Sequence, residues 1–312
     1  MRVAVVDIGT NSTRLLIAEV EYGRVAAELE RETTVTRLGA GVDEHGRLSD
    51  EAIERVWATL NGYRRQLDRY RPMSRIAVLT SAVRDATNGA EFAQAVGHRY
   101  DLTPFILTGR QEARLTFRGA TSEHDPREQT PTLVVDIGGG STELIIGTAG
   151  TARFHVSTQA GVVRQTERHL PDDPPTLTEL DELSAAVRGI LAAAVPTEHR
   201  DGVGRAIAVA GTPTSLAAIA QRLDPYDRDL VHGYCLHRDA CESILACLAA
   251  LPLAARREVP GLHPDRAPTI IAGVTILLEV MSLFGLDRVE ASEHDILRGA
   301  ALDLSQTAAA GS

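Results

Sequence analysis

Residues 3–17 read VAVVDIGTNSTRLLI, and residues 132–146 read TLVVDIGGGSTELII. Aligned without a gap, Val5, Val6, Asp7, Ile8, Gly9, Ser12, Thr13, Leu15 and Ile17 are identical to Val134, Val135, Asp136, Ile137, Gly138, Ser141, Thr142, Leu144 and Ile146. A supersecondary unit present twice, far apart in one chain, implies two domains related by an approximate two-fold axis. In each copy a short β-branched run reads as a buried strand, and Asp-Gly with small polar residues reads as a tight turn. A second apolar run comes next, so the copy is a β-hairpin folded about that turn. Glycine there lets a backbone approach a ligand closely and aim its N–H groups at it.

Working outward, apolar Ile53, Val56, Trp57, Leu60 and Leu67 mark a helix over 51–70, with Ser49 and Asp50 as N-cap candidates. Strands are expected at 76–79 and 105–107, a helical stretch from Thr80-Ser81 to about Val96 broken near Gly89, and a helix near Glu112. The polar, proline-containing segment 122–131 (SEHDPREQTP) reads as a hinge, giving domains over 1–124 and 125–312, with the last helix able to pack back on the first domain. The second half predicts a helix over 178–195, a strand at 206–209 and a helix over 214–222. A strand at 289–291 and a helix over 295–304 come after them, with a fraying tail TAAAGS. Alternating strands and helices make an α/β protein.

Composition narrows the chemistry. The 312 residues contain 32 cationic side chains, all arginine, and the formal net charge is −10. Without lysine there is no Walker A loop, no Schiff-base lysine and no protein-kinase strand lysine. The acidic surface argues against nucleic acid and anionic membranes as partners. It leaves room for a small anionic substrate in a local cationic pocket, because salt screens over about 8 Å. Cys235, Cys241 and Cys247 match no zinc spacing and no disulfide framework. The start MRVAVVDIG runs into a strand without a signal-peptide pattern, so a cytoplasmic protein is expected.

Two glycine–hydroxyl turns facing one another across a cleft would clamp phosphate through backbone amides and the side chains of Thr10, Asn11 and Ser12, or of Ser141 and Thr142. Asp7 and Asp136 end the two strands; around a polyanion, paired carboxylates make sense with a cation between them, and Glu143 completes such a shell. Arg14 is the counterpart of Glu143, so the copies have diverged in charge. Arg84, one turn into the helix opening at Thr80-Ser81, is placed to hold phosphate. Glu112 reads on its own either as a helix-start carboxylate favoured by the dipole or as a general base. Gly211-Thr212 repeats the strand–glycine–hydroxyl–helix pattern without the acid. His232 reads as a core or loop histidine, and His124-Asp125 and His294-Asp295 as solvated or capping pairs.

The motifs AVVDIGTNSTRLLI (4–17), LTSAVRDATN (79–88), LTGRQEARLTF (107–117), VVDIGGGSTELIIG (134–147), AVAGTPTSLAAI (208–219) and SEHDILRGAALDL (292–304) stand in one order along the chain. In that combination the sequence resembles the exopolyphosphatase / guanosine pentaphosphate phosphohydrolase family of the sugar kinase, heat-shock chaperone and actin superfamily. The resemblance implies two actin-like (ribonuclease H-like) domains with an interdomain cleft. It implies Glu112 as catalytic base, and Asp136 and Glu143 as catalytic ligands of metal and water. It implies Arg84 and the turns Gly9–Ser12 and Gly138–Thr142 (with Gly139 and Gly140) as phosphate contacts, with Gly211 and Thr212 in a third loop. Gln111 departs from the pattern, since many relatives carry a second glutamate there. Longer relatives carry extra C-terminal helical domains, so a surface gripping long chains is expected to be missing.

The expected activity is Mg²⁺- or Mn²⁺-dependent hydrolysis of a terminal phosphoanhydride, with the metal on Asp7, Asp136 and Glu143. The substrate is inorganic polyphosphate or, as the alternative, pppGpp, and a homodimer is compatible with this reading. A non-catalytic binding protein for polyphosphate or a guanosine alarmone, and a sugar- or acetate-kinase-like transferase, are the competing classes. The trio Glu112, Asp136 and Glu143 weighs against the first, and the lack of an acceptor motif against the second.

Overall fold

The computed structural model describes residues 1–125 and 127–310; Gly311 and Ser312, in the tail expected to fray, lie outside the described residues. The chain divides into two units, residues 1–122 with 295–312, and residues 123–294.

The first unit is built on five strands, β1 (Arg2–Ile8), β2 (Ser12–Glu21), β3 (Arg24–Val35), β4 (Ser74–Leu79) and β5 (Thr103–Ile106), in the order β3-β2-β1-β4-β5. β1 pairs antiparallel with β2 and parallel with β4. Its helices are α1 (Val42–His45), α2 (Asp50–Tyr70), α3 (Ser81–Asp85), α4 (Gly89–Tyr100) and α5 (Gly109–Ala120). The buried stripe of α2 holds Val56, Trp57, Leu60, Tyr63 and Leu67, and Ser49 caps it by accepting from the Ala52 amide at 3.2 Å.

The second unit repeats the scheme with β6 (Thr132–Ile137), β7 (Thr142–Thr148), β8 (Thr151–Thr158), β9 (Arg205–Val209), β10 (Cys235–His237) and β11 (Arg288–Ala291). Their order is β10-β11-β9-β6-β7-β8. Read from β8 to β11 this is the order of the first sheet: an antiparallel meander of three strands, then two strands joined in parallel. Its helices are α6 (Val162–His169), α7 (Leu177–Ala194), α8 (Gly211–Gln221), α9 (Arg228–Val231), α10 (Arg238–Ala249), α11 (Leu253–Arg256) and α12 (Ile270–Leu283). α12 is buried on nearly every face, which is why it is apolar all round. Among the described residues no helix is long and apolar enough to cross a membrane. The last helix, α13 (Ile296–Ala310), belongs to the first unit, where Leu297, Ala300 and Ala301 pack with Val3, Val5 and Leu16.

Two mixed α/β units with the same strand order are the actin-like, ribonuclease H-like architecture. Differences from the sequence reading are local. The stretch 80–96 is two helices separated by residues 86–88, and α8 starts at Gly211 rather than Thr214. β3 and β8 extend each hairpin to three strands.

Candidate active site

Both turns close the same way. The Gly9 amide donates to the Ser12 carbonyl at 2.9 Å, and the Gly138 amide to the Ser141 carbonyl at 2.9 Å. Peptide planarity then sets where the remaining N–H groups point: in a trans peptide the C=O of one residue and the N–H of the next face in opposite directions. The carbonyls of Gly138 and Gly139 accept from the first amides of α6, Val162 and Val163, at 2.9 Å each. The Gly140 carbonyl accepts from Arg164 Nε at 3.1 Å. The N–H groups of Gly139, Gly140 and Ser141 are therefore all aimed away from α6, as a nest of donors suited to an anion. In the first copy the Thr10 carbonyl accepts from Gly39 at 2.8 Å and the Asn11 carbonyl from Thr36 at 3.0 Å, which turns out the amides of Asn11 and Ser12 in the same manner. Gly161 is what lets α6 come so close. A Cβ there would lie 2.1 Å from the Gly140 carbonyl carbon and 2.4 Å from the Ser141 nitrogen.

The carboxylates at the strand ends carry the divergence. Asp7 stands directly across from Arg14, and Asp136 directly across from Glu143. Cross-strand partners share a face, so the first copy has an ion pair where the second has two like charges, an arrangement that is destabilising unless a cation sits with them. Arg14 donates to Asp7 Oδ2 at 2.6 Å and also reaches Asp295. Asp7 Oδ1 is buried and has no hydrogen-bond partner among the described residues. Burial pushes the Asp7 carboxyl up despite Arg14, whereas for Asp295 the charges of Arg14 and Arg31 outweigh burial and hold it down. Asp7, expected as a metal ligand, thus already has its cation in Arg14 and keeps a single oxygen for any further ligand. On the other copy, Glu143 Oε1 accepts from Ser141 Oγ at 2.7 Å and from Ser157 Oγ at 2.8 Å. Asp136 and Glu143 are hard oxygen donors paired on one face of the sheet, and this donor set fits a divalent ion of the magnesium type.

Arg84 and Glu112 meet within the first unit. Arg84 Nη1 donates to the Leu107 carbonyl at 3.0 Å and lies 3.4 Å from Glu112 Oε2. Glu112 is in the first turn of α5, whose N-cap is Thr108. The neighbouring Gln111 is turned back on that cap, its Oε1 accepting from the Thr108 amide at 2.9 Å and hydroxyl at 2.8 Å. A glutamate would cap the helix equally well, so residue 111 belongs to the helix start rather than to the chemistry.

Some expected contacts are corrected. Thr142 is fully buried and donates its hydroxyl to the Ala160 carbonyl at 2.5 Å, so it holds the turn rather than a ligand. Its counterpart Thr13 is buried likewise, against Thr36 Oγ1 at 3.0 Å. Thr10 remains part-buried, with its hydroxyl 2.9 Å from Ser81 Oγ. Gly211 and Thr212 lie in the first turn of α8 rather than in a loop before it. Just before them, Ala210 has φ 71° and ψ −165°, a region nearly restricted to glycine and one where strain gathers at functional sites. Arg266 lies against this turn, its Nη1 at 1.6 Å from where a Gly211 Cβ would stand. Arg164 and Arg266, which bring cations to the second and third turns, carried no signal in the sequence. A separate cluster that could hold a metal ion, Glu123, His232 and His294, also lies in the second unit, away from the expected ligands in sequence.

The pattern that defines the Ppx/GppA phosphatase family matches residues 16–307. The chain is 37% identical to exopolyphosphatase 2 of Mycobacterium tuberculosis over 316 aligned positions, covering 97% of this chain and 98% of that protein. It is 29% identical to the guanosine-5′-triphosphate,3′-diphosphate pyrophosphatase of Vibrio cholerae, covering 97% of this chain and 59% of that one. Among solved structures, the Ppx/GppA family member of Aquifex aeolicus is similar with a TM-score of 0.86 at 29% identity, over 98% of both chains.

Proposed function

The chain belongs to the Ppx/GppA phosphatase family and is a hydrolase of phosphoanhydride bonds, and from that premise we propose that it is an exopolyphosphatase releasing orthophosphate from the end of inorganic polyphosphate. The observation that carries the reading is the second turn: three amides turned outward beside the cross-strand carboxylates Asp136 and Glu143. That combination suits a polyanion together with its divalent cation. Polyphosphate is preferred over pppGpp because the exopolyphosphatase relative is matched along 98% of its length at 37% identity.

In this mechanism each unit offers its own outward amides, residues 11–12 in the first and 139–141 in the second, as donors for phosphoryl oxygens, in charge-assisted bonds worth about 1.5–3 kcal/mol each. Arg84 swings from Glu112 onto the terminal phosphoryl group and holds two of its oxygens. Glu112, relieved of its arginine, accepts a proton from the attacking water as that water's oxygen bonds to phosphorus. The anhydride P–O bond breaks in line, and the shortened polyphosphate leaves with the bonding pair. Asp136 and Glu143 would hold Mg²⁺ or Mn²⁺, which when bound offsets charge on the phosphoryl oxygens.

The test is orthophosphate release from short polyphosphate, long polyphosphate, pppGpp and ATP, each with and without Mg²⁺. Release from polyphosphate that requires the ion is expected. Turnover of pppGpp alone would move the assignment to a pppGpp phosphohydrolase, and tight binding of intact substrate would leave a binding protein. A second expectation concerns Gly161. Alanine there must push the Gly139–Ser141 backbone, which it meets at 2.1–2.4 Å, so misplacing the amides is expected to cost about 10²-fold in kcat/KM. Steady-state kinetics of Gly161→Ala on polyphosphate, with its melting temperature as the control for folding, check this.

A further inference from the structure

We infer that Glu123, His232 and His294 form a second cation site, distinct in chemistry from the carboxylate pair, that takes a transition ion of the zinc class. One ligand atom from each residue lies within 4.8 Å of the other two. His232 Nε2 is 3.2 Å from Glu123 Oε2, and His294 Nδ1 is 3.8 Å from Glu123 Oε1. The two imidazole rings lie 3.9 Å apart between centroids. Zinc holds nitrogen and oxygen ligands at roughly 2.0–2.2 Å, which in a tetrahedron spaces neighbouring ligand atoms by about 3.4 Å. Small side-chain adjustments bring this trio to that spacing.

The backbone presents the ligands. β10 and β11 are antiparallel, and their pairing continues as the Gly233 amide donates to Ala291 and the Ala291 amide to Tyr234, both at 2.9 Å. This sets the residue just ahead of that pairing, His232, beside the residues after β11. The Ser292 hydroxyl accepts from the His294 amide at 3.0 Å and fixes the turn from which that imidazole projects. Glu123 and His294 are the first and last residues of the second unit, so the trio ties its two ends together. His294 is buried, while His232 and Glu123 are open to solvent by 25% and 53% of their side chains, which leaves an entry path and a coordination position for water.

Two imidazoles and one carboxylate favour zinc, cobalt or nickel over magnesium, which prefers oxygen alone and keeps its waters. The ion displaces a proton arrangement rather than entering a vacant cage. The Glu293 amide donates to His232 Nδ1 at 3.3 Å, so the ring proton sits on Nε2 and is donated to Glu123. Coordination through Nε2 moves that proton to Nδ1 and gives up the Glu293 bond, which makes the affinity weaker than that of a four-ligand structural site.

Calorimetric titration of the full chain with Zn²⁺, paired with the absorption spectrum of its Co²⁺ complex, tests this. One ion per chain is expected, with visible d–d bands and no thiolate charge transfer. Glu123→Ala and His232→Gln, chosen because both side chains are partly exposed, are each expected to weaken binding at least about tenfold. Cys235→Ser, which removes the thiol 3.9 Å from His237 Nε2, is expected to leave it unchanged. Absence of a bound ion in the wild type, wild-type affinity in the two ligand variants, or loss of binding in Cys235→Ser would overturn the site.

Discussion

Glu112→Gln is expected to lower kcat on polyphosphate by about 10²–10⁴-fold, the range that a positioned general base contributes. Glutamine keeps the shape of the side chain and an oxygen that accepts from Arg84, now 3.4 Å from Glu112 Oε2. It lacks only the capacity to take a proton from water. Substrate affinity should change little, because Arg84 and the outward amides of residues 11–12 in the same unit are untouched. Glu112→Ala should differ in a telling way: Arg84 loses Glu112 and is held by the Leu107 carbonyl at 3.0 Å and Asp85 Oδ1 at 3.3 Å, so KM is expected to move along with kcat. Gln111→Ala provides the contrast on the adjacent residue. It removes the capping box of α5, costs about 1 kcal/mol of stability, and leaves the chemical step alone. Orthophosphate release at saturating polyphosphate, with equilibrium binding measured separately, distinguishes these outcomes. A Glu112→Gln enzyme within tenfold of wild type would remove Glu112 from the mechanism.

The parts of the fold and site that could be read from sequence are those written in consecutive residues. The two DIG turns declare themselves because strand, glycine and hydroxyls lie within a dozen positions, and they fold into the same Gly–Ser hydrogen bond in both copies. α2 shows its period and its serine cap. β3 does not, because Arg24–Val35 is rich in Glu and Arg without an alternating apolar face. It is a strand because β2 offers it an edge and because Glu28 and Arg31 find Arg298 and Asp295, far along the chain. The same holds for Arg164 and Arg266, whose nearness to glycine turns depends on how α6 and the segment before α12 return to the sheet. The Glu123–His232–His294 cluster is a further case: His232 and Glu123 are 109 residues apart, and only the β10–β11 pairing brings His232 alongside His294. Metal spacings within one short motif have no access to such a set.

Arg14→Met is the substitution expected to cost most in stability, about 3–5 kcal/mol at neutral pH. Arg14 is the cation for two carboxylates, Asp7 and Asp295, whose side chains are only 4% and 5% exposed. Methionine fills the stem but strands both acids; Arg31, 3.5 Å from Asp295, relieves one of them in part. The pH dependence gives the loss a signature. In the wild type the Asp295 carboxyl is held below the ordinary value of 3.8, so its contribution is present above that pH and is lost as the pH falls further. Asp7 runs the other way. Its carboxyl is raised by burial even beside Arg14, and without the arginine it rises further, so acid protonates it in the folded state and removes the buried charge. The difference in unfolding free energy between wild type and Arg14→Met is therefore expected to be largest near pH 7 and to shrink toward about pH 5. Arg14→Lys should fall between them, because a single ammonium cannot reproduce the fork that spans both acids. Urea unfolding at the two pH values measures all three proteins. A penalty under about 1 kcal/mol, or one that does not change with pH, would mean that Asp7 and Asp295 do not depend on Arg14 for their charge.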